Sequence, residues 1–160
     1  MKNLVTGGAG FIGSHIVEEL LKTNISEVVV FDNFARGEES YLDPFLADPR
    51  LNIFLGGADI RDIDKIPMKD IDTIIHLANI ANDPAVELDP TLSWEVNVLA
   101  TKEIMDLCIK YRVKHFIYAS SGSVYGVKKE KKVIEDLDLV PISTYNKTKM
   151  IAEKVIQSYD

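Results

Sequence analysis

Five short apolar runs recur along this chain, separated by stretches with helical spacing. "NLVT" (3–6), "EVVVF" (27–31), "LNIFLG" (51–56), "DTIIHLA" (72–78) and "KHFIYAS" (114–120) each have the length of a strand. Their apolar positions are mostly contiguous rather than alternating, the pattern of strands buried on both faces of a parallel sheet. Between them, "SHIVEELLKT" predicts a helix, "SYLDPFLAD" a short helix within a loop, "DIDKIP" a turn, and the stretch from about Pro90 to Arg112 one long helix. Pro141 and Ser143 introduce a last helix, with Ser143 or Thr144 as its cap. No internal repeat or low-complexity tract interrupts this βαβ alternation, which predicts an α/β fold built on a doubly wound parallel sheet.

A doubly wound sheet runs its strands in the order 3-2-1-4-5-6. Only five runs are present here, so the chain is expected to stop before the sixth strand, leaving "HFIYAS" as an apolar edge of the kind natural sheets protect. The 160 residues, 46% hydrophobic and 27% charged, have the size and composition of one domain with its own core. A net charge of −7 argues against nucleic acid or an anionic membrane surface as partner, because both need a basic face. The lone cysteine, Cys108, lies in "IMDLCIKY", where it reads as a buried thiol on a helix. No signal-peptide core and no 20-residue apolar span is present, so a cytoplasmic protein is expected.

Candidate chemistry begins at "LVTGGAGFIGSH", where Gly7, Gly10 and Gly13 fall between the first strand and the first helix. A tight turn, close backbone approach to a pyrophosphate and close helix packing each call for a residue without Cβ, and the helix amides then face the phosphates. Asp32 ends the second strand 19 residues after Gly13, where a carboxylate can accept both ribose hydroxyls of a bound dinucleotide. That carboxylate would repel a 2′-phosphate and so favours NAD over NADP, whereas Arg36 would attract one. Asp59, followed by Ile60 at the end of the third run, can either receive the adenine amino group or cap the turn that follows. Near the carboxyl end, Tyr145 and Lys149 stand four residues apart on the last helix. They share one face, so an ammonium can lie near a phenol, favour its phenolate and make a general base of it. His76 stands inside an apolar strand and reads as a hydrogen-bonded core histidine. No metal site is expected.

Taken together, T-G-G-A-G-F-I-G, "DI", "HLA", "SSGSVYG" and Y-x-x-x-K resemble, in that order, the extended short-chain dehydrogenase/reductases, and more narrowly the NAD-dependent epimerase/dehydratase family of nucleotide sugars. The resemblance spans essentially the whole chain and implies a Rossmann-like domain over 1–160, incomplete, with a C-terminal substrate domain absent. It implies NAD contacts at Gly7, Gly10, Phe11, Ile12, Gly13, Asp32, Asn33, Asp59, Ile60, Leu77 and Ala78. It also implies that Tyr145 is the catalytic base, that Lys149 bonds the nicotinamide ribose and lowers the tyrosine pKa, and that Ser121 hydrogen-bonds the reacting sugar hydroxyl. Asn82, Asp83 and Ser123 are candidate substrate contacts, and Asn97 is a support for the cofactor-side loops. Asn79 stands where many relatives have the second alanine of H-x-A-A. In the 4,6-dehydratases of the family an Asp-Glu pair follows the Ser/Thr; here those positions are Gly122 and Ser123, which disfavours elimination. The resemblance therefore points to a nucleotide-sugar 4-epimerase with tightly held NAD. A dehydrogenase or reductase with exchangeable cofactor, or a non-catalytic NAD-binding module, are the alternatives. A nucleotide-sugar substrate, a homodimer formed through the two long helices and little turnover by these 160 residues alone complete the expectation.

Overall fold

The computed structural model describes residues 1–54 and 58–159, so residues 55 and 56 of the third predicted strand lie outside the described residues. Five strands form: β1 (Lys2–Thr6), β2 (Glu27–Phe31), β3 (Leu51–Phe54), β4 (Thr73–His76) and β5 (His115–Tyr118). They make one parallel sheet in the order β3-β2-β1-β4-β5. This is the predicted Rossmann-like arrangement, with Val5 of the central strand in register with Val30 and Ile75. Because the order reverses at β1, the carboxyl ends of β1, β2 and β4 open on the crevice where such sheets bind ligands.

The helices are α1 (Phe11–Leu21), α2 (Asp83–Leu88), α3 (Pro90–Trp94), α4 (Ala100–Tyr111) and α5 (Thr144–Gln157). The predicted long helix is present from Pro90 to Tyr111, but a π-helical turn, Glu95–Leu99, joins α3 to α4 within it. It ends where Arg112 turns to φ 57°. The short helix expected near 40–48 is instead two 3-10 turns, Glu39–Tyr41 and Asp43–Phe45, and a third occupies Ile63–Lys65. α2 was not predicted. Its start is written in Asn82-Asp83-Pro84: the Asn82 side chain accepts from the Ala85 amide at 3.1 Å, and proline is tolerated in a first turn.

Two compact units divide the chain, Met1–Ala78 with Asp106–Ala119, and Asn79–Met105 with Ser120–Asp160. The first holds the sheet. Its core gathers Val5, Val17, Val28, Val30 and Leu42 without solvent exposure, and α1 packs against β1 and β2. His76 is buried and its Nδ1 shares a 2.7 Å hydrogen bond with Thr6 Oγ1, as a core histidine should. Cys108 is buried, and desolvation pushes its thiol up to about 12, so it is inert as a nucleophile. At the edge, β5 leaves Ile117 53% exposed, the apolar border that the sequence predicts. In the second unit α5 packs against α2, α3 and the π-helical turn. Among the described residues no helix is long and apolar enough to cross a membrane.

Candidate active site

The first unit builds a nucleotide cradle from three strand ends. β1 runs into Gly7, whose φ of +73° suits a residue without a side chain and whose Cβ would stand 2.7 Å from the Ala78 amide nitrogen after β4. A Cβ on Gly13 would meet Gly7 O at 2.2 Å, so α1 can begin this close to the loop only with glycine there. Gly10 differs: a Cβ there would have only Gly7 O near it, at 3.3 Å, which marks the side that lies open. Phe11 and Ile12, in the first turn of α1, are 72% and 62% exposed. A pyrophosphate fits such a place, with backbone amides on one side and room for a phosphate on the other.

Asp32, at the end of β2, is buried and fixes this loop. Its Oδ2 accepts from the Ala9 amide at 2.9 Å and its Oδ1 from the Phe34 amide at 2.8 Å. Each oxygen retains a further lone pair for a ribose hydroxyl. Asn33 is exposed and its Oδ1 accepts from the Ala35 amide, while Arg36 is exposed beside Gly37. Asp59 lies beyond β3 and grips Arg61, through Nε to Oδ1 at 3.1 Å, Nη2 to Oδ2 at 2.8 Å and the Arg61 amide at 2.9 Å. These bonds hold the Asp59 carboxyl below its usual range and make it the cap of the following turn. Ile60 is buried, and Leu77 and Ala78 follow β4 half-buried. Among the described residues no group of three or more His, Cys, Asp or Glu side chains is placed to hold a metal ion.

The second unit carries the hydroxyl groups. Ser143 caps α5 by accepting from the Asn146 amide at 3.2 Å, which sets Tyr145 in the first turn and Lys149 one turn later. Ser121 caps the 3-10 turn Gly122–Tyr125, its Oγ accepting from the Ser123 amide at 3.2 Å. Burial pushes the Tyr145 pKa above its ordinary 10.0; the Ser121 hydroxyl pulls it down, and the Asp83 carboxylate raises it again. The net direction is upward. Lys149 is itself buried, and desolvation brings its amine down to about 8 against an upward pull from Glu153. Asp83, predicted as a substrate contact, acts on Tyr145 electrostatically, and Asn82 is engaged as the α2 cap.

One expected support and one contact that the sequence did not show complete this unit. Asn97, fully buried in the π-helical turn, accepts from the Ile80 amide at 2.9 Å, donates to the Ile80 carbonyl at 3.1 Å and donates to Thr148 Oγ1 at 3.2 Å. It thereby supports the loop after β4 by hydrogen bonds, as expected, and also ties that loop to α5, which was not expected. Ser123 Oγ lies 2.7 Å from Ser121 Oγ and donates to Asn146 Oδ1 at 2.6 Å. Asn146 follows Tyr145 directly, but nothing in its neighbours marks a partner 23 residues upstream.

Comparison with known proteins agrees with this arrangement. Residues 3–160 match the family model described as the NAD dependent epimerase/dehydratase family. A UDP-glucose 4-epimerase of Lactobacillus helveticus is 33% identical over 98% of this chain and 46% of its own length. The dTDP-glucose 4,6-dehydratase DesIV of Streptomyces venezuelae, solved with NAD bound, superposes with a TM-score of 0.93 at 32% identity, over 99% of this chain and 51% of that one. A UDP-glucose 4-epimerase of Thermus thermophilus in complex with NAD gives 0.87 at 33% identity, over 99% and 50%. The chain thus spans about half the length of the curated relatives it matches.

Proposed function

The chain belongs to the NAD dependent epimerase/dehydratase family, and from that premise we propose that the protein is a nucleotide-sugar 4-epimerase working on a UDP-sugar with tightly held NAD. The observation that carries the reading is that Ser121, in the unit that carries Tyr145 on α5, caps a turn whose first two residues are Gly122 and Ser123. Glycine and serine offer no carboxyl group for the acid-base work of elimination, so likeness to a dehydratase supports the fold and the cofactor rather than the reaction. Epimerisation needs only that one proton and one hydride leave the sugar and return.

Bound NAD supplies the hydride acceptor for the sugar carbon. The open side of Gly10, the Gly7–Gly13 approach and the remaining lone pairs of Asp32 fit its pyrophosphate and a ribose. Asp32 favours NAD over NADP by repelling a 2′-phosphate. Tyr145, as phenolate, takes the proton of the sugar hydroxyl and, as the phenol so formed, returns it to the keto oxygen. Ser121 steers that hydroxyl. Lys149 is the nearby buried amine on the same helix, largely protonated at neutral pH with a pKa of about 8. The reading extends to a cytoplasmic homodimer, supported by the exposed Leu99 and Ile109 on the long helix.

The test is conversion of UDP-glucose to UDP-galactose by the whole protein without added NAD. Tyr145→Phe is expected to abolish conversion while leaving NAD bound. Undiminished turnover by that variant sinks the assignment of Tyr145. Strict dependence on added cofactor would favour a net oxidoreductase, and a 6-deoxy product a dehydratase.

A further inference from the structure

We propose that His76 is a positioning residue for the nucleotide cradle. With its ring proton on Nε2, it accepts the Thr6 hydroxyl proton at Nδ1 and so fixes the oxygen that holds the Ala78 amide beside Gly7. The direction follows from counting protons. Thr6 is fully buried, and among the described residues its Oγ1 meets two partners, the Ala78 amide nitrogen at 3.3 Å and His76 Nδ1 at 2.7 Å. The amide can only donate, so it occupies a lone pair of Oγ1. The hydroxyl proton, shut away from water, is then left with Nδ1 as its acceptor. A proton on Nδ1 would fill that contact with a second donor and strand the hydroxyl proton in the core, unbonded.

This hydrogen bond reaches the cradle directly. Thr6 and His76 are the last residues of β1 and β4 and stand opposite each other in register. Two residues beyond His76, the Ala78 amide nitrogen lies 2.7 Å from where a Cβ on Gly7 would stand. On its other side His76 is in register with Tyr118 of β5, and the Phe116 and Tyr118 rings have their centroids 5.8 Å and 5.9 Å from the imidazole. Packed in this way, the ring has little freedom to turn Nδ1 away from Thr6. Without that acceptor the Thr6 oxygen is no longer held toward the Ala78 amide, and the loop after β4 is free to lift from Gly7. All of these residues belong to one compact unit. The consequence for the cofactor rests on the proposed placing of NAD against Gly7 and Ala78; the position of the ring proton does not.

The first measurement labels the three histidines of the protein with nitrogen-15 and reads ring protonation at neutral pH, His76→Asn identifying the His76 signals. An unprotonated Nδ1 and a proton on Nε2 are expected. A proton on Nδ1 overturns the proposal, and since the unaltered protein is observed, that outcome is open even if a variant fails to fold. The second measurement compares His76→Phe, which keeps a ring and loses the acceptor, with His76→Asn, which loses the ring and keeps an acceptor at the δ position. His76→Phe should speed hydrogen exchange at the Ala78 amide and weaken NAD in a calorimetric titration, each by about tenfold, the scale of one hydrogen bond. His76→Asn should stay close to the unaltered protein in both. A histidine that only fills space gives the reverse order, and that order, or equal losses in the two variants, overturns the positioning role. Faster exchange at Ala78 with NAD binding unchanged would overturn it through a failure of the cradle reading, whereas unchanged exchange in His76→Phe would overturn it with that reading intact.

Discussion

Lys149 illustrates how a single residue here is shaped by burial more than by charge. The residue is 4% exposed, and desolvation brings the pKa of its amine from 10.5 to about 8. A lysine whose folded pKa is depressed binds its proton less tightly when folded, so the unfolded chain holds more protons between pH 8 and 10.5 and stability rises with pH across that window. Below pH 8 the amine is charged in both states and the folded protein carries the full burial cost. Compared with Lys149→Met, the unaltered chain should therefore gain about 2–3 kcal/mol between pH 7 and pH 10, an order-of-magnitude figure. Urea unfolding of the two proteins at both pH values measures it, and a difference independent of pH would show that burial does not touch the proton. Sequence offered the Tyr145–Lys149 spacing plainly. It did not offer the burial of either side chain, the approach of Asp83 or, with them, the upward shift of Tyr145.

At the scale of elements, the sheet was legible because its strands are buried and short, which writes them as contiguous apolar runs. The start of α2 was missed because Asn82-Asp83-Pro84 serves a turn and a helix start equally well. The π-helical turn was hidden for a different reason: the apolar spacing through 90–112 continues across it, and a single widened turn leaves no mark on periodicity. The contact of Ser123 with Asn146 was hidden too, since the two meet only when the loop after β5 folds onto α5. Asn97 occupies that π-helical turn, and π-helical turns recur at functional sites. Asn97→Ala strips partners from both the amide and the carbonyl of Ile80 and from Thr148, which should cost about 1–3 kcal/mol. The decisive measurement is hydrogen exchange at the Ile80 amide. Protection there should collapse in the variant while amides of β1 and β2 keep theirs; protection retained at Ile80 would mean that Asn97 is only packing.

Across the whole molecule, the nucleotide cradle lies within one compact unit and the Tyr145 group within the other. The residues proposed to grip a pyrophosphate and a ribose, from Gly7 to Asp32 and Ala78, all belong to a single unit with its own core. Binding of NAD should accordingly be a property of these 160 residues. Turnover asks for more, because rate acceleration depends on the sugar being held in line with the reacting groups and shielded from water. The matched relatives run to about twice this length. The 160-residue chain is thus expected to bind one NAD per chain in a calorimetric titration and to leave UDP-glucose unconverted. Gly13→Ala is the control for where NAD binds, since its Cβ would stand 2.2 Å from Gly7 O and force the loop away from α1. That variant should lose the binding heat. Heat that survives the substitution would place the dinucleotide elsewhere, and conversion of UDP-glucose by the chain alone would show that the residues described here already hold the sugar.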